Sequence, residues 1–329
     1  MGGVGAAALL AGCSPAAPLA SAAPSAAAAS PSMAMSGTSM PGGTTGTASA
    51  KTPSPADFAV APPFHPRRSE PIDFRLVSRD GPAETIQVAP DRAYASMNFD
   101  GQVPAPTLRV TEGDTVRFTL RNEGQMAHSI DFHAAQTPWS KNYQPVGPGK
   151  SFTFEWTAHH AGVFLYHCGV APVIMHIGDG MFGAVIVDPA EGRPPAREYV
   201  LLQSEFYGSG HDVEAMLNKT PDVVAFNGQA FRHKTAPLAA KVGETVRLFV
   251  VCAGPNSTSA FHVIGALFDA YEPSGSPKDR MAMHQTVMVP PGDGALVELT
   301  FSEPGDYPFV THRFTDAEKG AMGIFHVTE

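Results

Sequence analysis

Thr111-Glu-Gly-Asp-Thr-Val-Arg-Phe118 recurs later in the chain as Lys241-Val-Gly-Glu-Thr-Val-Arg-Leu248. Further echoes keep the same order. Val146-Gly-Pro-Gly149 returns as Val289-Pro-Pro-Gly292, Gly162-Val-Phe-Leu-Tyr-His167 loosely as Gly305-Asp-Tyr-Pro-Phe-Val310, and Gly180-Met-Phe-Gly183 as Gly320-Ala-Met-Gly323. A period of roughly 120 to 140 residues is too long for a solenoid unit and indicates a duplicated domain. The runs Thr115 to Leu120, Ser151 to Trp156, Thr245 to Val251 and Ala295 to Phe301 are short, β-branched or aromatic, and bounded by turn residues, which is the pattern of strands. No long amphipathic helical stretch interrupts either half, so the chain is expected to be all-β, two tandem Greek-key β-sandwiches.

The 329 residues suit about two domains. With 43% apolar and 16% charged residues they can bury ordinary cores. The net charge is −9 and no Lys/Arg cluster occurs, which argues against a nucleic-acid partner and leaves room for a basic redox partner. Residues 1–13 read as the remnant of a secretory signal, ending in Leu10-Ala-Gly-Cys13, which resembles a lipoprotein cleavage box. This predicts export to the periplasm or cell surface and attachment to the membrane through a lipid on Cys13 alone. Residues 14–65 are largely Ala, Ser, Pro, Gly and Thr, too poor in apolar bulk to order themselves, and read as a disordered tether. The folded domains are then expected at 66–190 and 191–329.

Within the first copy lies the chemistry. His128-Ser-Ile-Asp131-Phe-His133 is followed by Tyr166-His167-Cys168, then His176 and Met181. A Cys thiolate, two imidazoles and a thioether are the donor set of a blue-copper electron-transfer site, here His128, Cys168, His176 and Met181. Adjacent residues on a strand point to opposite faces, so His167 must look away from Cys168 and can hold a second metal with His133. Asp131 and His133 are two apart and share a face, which places a carboxylate beside a metal-bound imidazole as a proton donor. In the second copy Phe261-His262-Val-Ile264 keeps the histidine, but no cysteine follows near Val310 to His312. That half cannot build a thiolate site, and its His262 and His312 are free for other work. Cys252, at the end of an apolar run, reads as a small buried hydrophobe.

These residues together resemble the copper-containing nitrite reductases, two-domain cupredoxin enzymes, over about residues 70 to 329. The resemblance rests on the motifs just quoted, on Gly254-Pro-Asn-Ser-Thr-Ser-Ala-Phe-His262-Val-Ile-Gly265, and on His312 followed by Lys319-Gly-Ala-Met-Gly323. It implies two coppers per subunit, a type 1 copper on His128, Cys168, His176 and Met181 and a type 2 copper on His133 and His167. It further implies that His312 comes from a neighbouring subunit of a homotrimer. Asp131 and His262 would flank nitrite as the proton-delivering pair, with Ile264 shaping the pocket, and a cupredoxin or cytochrome c would donate electrons. The loop from Gly169 to Met175 departs from the family by about one residue, with Met175 where an aromatic is usual. Gln136-Thr-Pro-Trp139 is also unusual. Two other readings remain in play: a laccase-like oxidase reducing oxygen, which would want His-Xaa-His pairs that this chain lacks, and a non-catalytic carrier with a type 1 copper alone.

Overall fold

The computed structural model describes residues 59–329, so the expectations for Cys13 and for the tether up to residue 58 fall outside it. The first half comprises β1 (Ile72–Arg79), β2 (Thr85–Ala89), β3 (Arg92–Ala95), β4 (Asn98–Phe99), β5 (Leu108–Thr111), β6 (Thr115–Asn122), β7 (Asp131–Phe132), β8 (Ser151–Thr157), β9 (Gly162–His167) and β10 (Phe182–Asp188). The second comprises β11 (Arg197–Phe206), β12 (Val223–Phe226), β13 (Leu238–Lys241), β14 (Thr245–Gly254), β15 (Ser259–Val263), β16 (Ala270–Pro273), β17 (Thr286–Val289), β18 (Asp293–Thr300), β19 (Gly305–Thr311) and β20 (Met322–Thr328). Short helices fill connections: α1 (Trp139–Asn142), α2 (Val173–Gly178), α3 (Val213–Leu217), α4 (Arg232–Thr235) and α5 (Phe314–Ala317).

The duplication read from sequence is a duplication of topology. The first half forms sheets ordered β4-β1-β6-β8 and β5-β10-β9-β7, the second β12-β11-β14-β18-β16 and β13-β20-β19-β15-β17. β1 runs parallel to β6 as β11 does to β14, and β5 parallel to β10 as β13 does to β20. Each half is a cupredoxin-like sandwich whose two sheets close on their own core.

Burial follows the pleat. Along β6, Val116, Phe118 and Leu120 are buried while Arg117 and Arg121 face water, the alternation expected of a sheet wet on one side. β10, β11 and β14 behave differently, being buried almost throughout. Both of their faces are covered. Val185 and Val187 enter the first core, and Leu201, Leu248 and Val250 the second. Between the domains, Val163, Leu165, Ile186, Leu202, Phe249 and Val251 make a third apolar layer, each such side chain contributing about 1.5–3 kcal/mol. Gly228 allows a close approach, since a Cβ there would lie 2.1 Å from the Val103 carbonyl oxygen of the other domain.

A chain of alternating charges crosses the same interface. Arg109 on β5 contacts Asp188 at 2.6 Å and Glu198 at 2.5 Å, Glu198 meets Arg247 at 2.6 Å, and Arg247 meets Glu298 at 2.6 Å. Burial opposes ionisation of Glu198, and the guanidinium groups of Arg109 and Arg247 outweigh it and hold its carboxyl below the usual range. Residues 59–65, assigned to the tether by composition, are docked on this frame. Ala59 is buried in the second core, Arg109 donates to the Pro62 carbonyl at 2.7 Å, and Thr111 donates to the His65 carbonyl at 2.5 Å.

Two stability outcomes follow from these contacts. Arg109→Ala leaves Asp188 and Glu198 facing each other across the interface with one guanidinium fewer, and urea titration is expected to show a loss of about 3–5 kcal/mol. His233, buried beneath β20, is held by burial and by Arg232 down to about 4, while in the unfolded chain it titrates near about 6.5. A depressed histidine costs stability on acidification. Stability should therefore fall between pH about 6.5 and 4 with a slope of up to about 1.4 kcal/mol per pH unit from this group, and His233→Gln should flatten that limb.

Candidate functional site

β9 is the element on which the site is built. Its even positions, Phe164 and Tyr166, turn into the first core, and its odd positions, Val163 and Leu165, turn toward the second domain. Continuing the alternation sends Cys168 into the first core and His167 to the interdomain side. Pairing continues past the strand end, with Cys168 N–H donating to the Met181 carbonyl at 3.0 Å.

On the core side, His128, Cys168 and His176 bring their donor atoms within 4.8 Å of one another. All three, and Met181, have no exposed surface. Cys168 Sγ lies 3.9 Å from His128 Nδ1 and 3.4 Å from His176 Nδ1. His128 is held by paired backbone bonds with Val146, and Met181 N–H donates to the His176 carbonyl at 3.0 Å. The loop that departs from the family pattern folds into α2, which carries His176, and Met175 on it packs partly buried against the first core. Burial holds His176 down to about 4 and His128 below its ordinary value despite the opposing pull of Asp80. Neutral imidazoles keep lone pairs for a metal. Burial also pushes the Cys168 thiol up, so a cation is what would favour its thiolate form.

Across the strand, Asp131 pairs directly with His167 in the β7–β9 ladder, and Asp131, His133 and His167 converge within 4.8 Å. The spacing argument for a shared Asp131 and His133 face holds. His133 Nδ1–H donates to the Gly292 carbonyl and His167 Nδ1–H to the Cys168 carbonyl, both at 2.8 Å. These bonds use the ring protons, so each Nε2 carries a lone pair, and the two Nε2 atoms face each other at 3.1 Å. Two acceptors so placed repel unless a cation or a shared proton lies between them. The donor chemistry of both groups therefore suits a bound metal.

The residues from the second domain stand in a cluster of their own. His262 on β15 and His312 just after β19 lie with ring centroids 5.1 Å apart, and His312 N–H donates to the Ala260 carbonyl at 2.6 Å. The Gln285 carbonyl accepts from His262 Nδ1. His312 is exposed against the edge of Phe314, and Ile264 is also exposed. Among the described residues neither histidine joins the converging groups of the first domain.

Two residues escaped the sequence reading. Asp80, in the turn after β1, accepts from His128 Nε2 at 2.7 Å; nothing in the sequence links positions so far apart. Tyr143 packs its hydroxyl over Gly169, where a Cβ would sit 1.2 Å from the phenol oxygen. Burial, then the charges of Asp131 and Cys168, pushes this phenol up to about 12. With Asp131, His133, Gln136, Trp139 and Asn142 it lines a cavity of about 380 Å³ beside the second group. Cys252, read as a buried hydrophobe, is indeed fully buried. His211 is tied to Asp179 at 2.6 Å.

Comparison with known proteins agrees with this architecture. Two multicopper oxidase family models match, one over residues 83–192 and the other over residues 208–329. A copper-containing nitrite reductase of Neisseria meningitidis serogroup A is 36% identical over 277 residues, covering 76% of this chain and 71% of the relative. The solved copper nitrite reductase of Nitrosomonas europaea superposes with a TM-score of 0.75 at 37% identity, over 79% of this chain and 95% of that one. A solved multicopper oxidase superposes with a TM-score of 0.73 at 29% identity, over 84% and 97%. With family models across both halves and relatives matched over most of their length, the chain belongs to the copper-containing nitrite reductases.

Proposed function

We propose that this chain reduces nitrite by one electron to nitric oxide, taking up two protons and releasing water. The observation that carries this reading is the pair of donor groups set back to back on β9, one ending in Cys168 and the other in His167, joined by a single peptide bond. His128, Cys168, His176 and Met181 would hold a type 1 copper. His133 and His167 would hold a type 2 copper, completed by His312 of the partner subunit in a homotrimer. Bound copper supplies a one-electron carrier at the first position and a Lewis-acidic site for nitrite at the second.

The protein's own share is positioning and proton supply. The Gly292 and Cys168 carbonyls fix the His133 and His167 rings so that both Nε2 atoms face the same point. Asp131, in the same group, would give a proton to the departing oxygen of nitrite. The Gln285 carbonyl fixes the ring of His262, which in an assembled trimer would serve as the second donor, with Ile264 against the substrate. Exposure of His312 and Ile264 on one domain, and a partly buried imidazole pair short of a third ligand on the other, supports completion between subunits. The donor would be a cupredoxin or cytochrome c. Export with lipid attachment at Cys13 would place the enzyme in the periplasm or at the cell surface.

Anaerobic nitric oxide release from nitrite with an artificial donor tests the reading, and it should vanish in His133→Ala. Asp131→Asn is expected to keep its copper and lose about 10²–10⁴-fold in turnover; undiminished turnover removes Asp131 from proton delivery. Metal analysis should find about two coppers per chain, falling to about one in His312→Ala; about four with oxygen consumption would support the oxidase reading instead.

A further inference from the structure

We propose that Asp80 is a positioning residue for the type 1 centre, one that fixes the His128 ring and lowers the reduction potential of the copper. The inference rests on the type 1 reading of His128, Cys168 and His176. Asp80 is separated by 48 residues from His128 and lies in the turn that follows β1, yet its side chain is 4% exposed and its Oδ2 sits 2.7 Å from His128 Nε2. The same carboxylate accepts the backbone N–H of Gln125 at 2.5 Å and of Met126 at 2.9 Å. Three donors thus converge on one carboxylate, all from the segment that delivers His128.

The turn is shaped to admit it. A Cβ at Gly124 would lie 2.7 Å from the Asp80 carboxyl carbon, so a side chain at 124 would displace the carboxylate. Gly81 adopts a φ of +113°, which lets the chain reverse immediately after Asp80. The other ligand imidazole has no such support. His176 Nε2 is buried without a hydrogen-bond partner. Asp80 therefore distinguishes the two imidazoles, anchoring one through an anionic acceptor.

An ionised acceptor on the far nitrogen of a metal-bound imidazole fixes its tautomer and makes it a stronger donor. A stronger, partly anionic donor favours Cu(II) over Cu(I), because the more highly charged ion gains more from added negative charge. A purely structural prop would act on both oxidation states alike. The effect of Asp80 on the ratio of the two affinities, and hence on the potential, separates the two roles.

The experiment is a spectroelectrochemical titration of the blue absorption in the copper-loaded protein, its Asp80→Asn variant and its Gly124→Ala variant. Asp80→Asn should weaken Cu(II) binding by about 10–100-fold. It should weaken Cu(I) binding at least tenfold less, which moves the potential upward by about 59 mV or more for one electron. Gly124→Ala, which keeps the carboxylate but displaces it, should move the potential in the same direction and serves if Asp80→Asn does not fold. If Asp80→Asn folds without holding Cu(II), competition with a Cu(I) chelator decides: retained Cu(I) binding supports the proposal, and equal loss of both ions overturns it. A blue wild-type protein whose potential is unchanged in both variants refutes the role of Asp80 alone. A wild-type protein that forms no blue centre with copper refutes the type 1 reading beneath it.

Discussion

The opposed directions of His167 and Cys168 are the constraint on which the molecule depends. Consecutive side chains of an extended strand cannot share a face, so a protein that places a thiolate in its core at position 168 must place residue 167 on the far side of the sheet. For a surface strand that far side would be water. Here it is the interdomain layer, because β9 and β10 are sandwiched between the first core and the second domain. Two donor groups of different character are therefore held a peptide bond apart, one sealed in a core and one at the wetter end of an interface.

The second domain makes this possible without contributing a thiolate. Its β11 and β14 cover the outer face of β9 and β10, and the Gly292 carbonyl, in the turn before β18, receives the His133 ring proton. Duplication gave the chain a second sandwich that has no cysteine at the position matching Cys168. What it kept is a face that covers its twin and a pair of histidines, His262 and His312, on a different edge. The buried charge chain from Asp188 through Arg109, Glu198 and Arg247 to Glu298 fixes the register of the two domains. Isolated buried charges would be costly, and each here has an opposite neighbour.

The two groups differ in how their imidazoles are held. At the buried group one ring is anchored by the Asp80 carboxylate, while at the other both rings are anchored by backbone carbonyls. Neutral carbonyls orient a ligand with little added charge, and a carboxylate does both. The cavity beside Asp131, lined by Trp139 and Tyr143, belongs to the segment after His133 that departs from the family pattern.

The sequence by itself determined the duplicated all-β architecture, because strand periodicity and repeated turn residues are local. It also pointed to the meeting of His128, Cys168 and His176, and to the shared face of Asp131 and His133, because those follow from residue type and a period of two. Tertiary structure alone decided what depends on remote segments meeting. Asp80 reaches His128, Gly292 reaches His133, and residues 59–65 dock on the frame only once the sheets have formed. A carboxylate in a turn or a glycine carbonyl carries no mark in the sequence of which ring it will hold, since any such group can bond to any donor that the fold brings within reach.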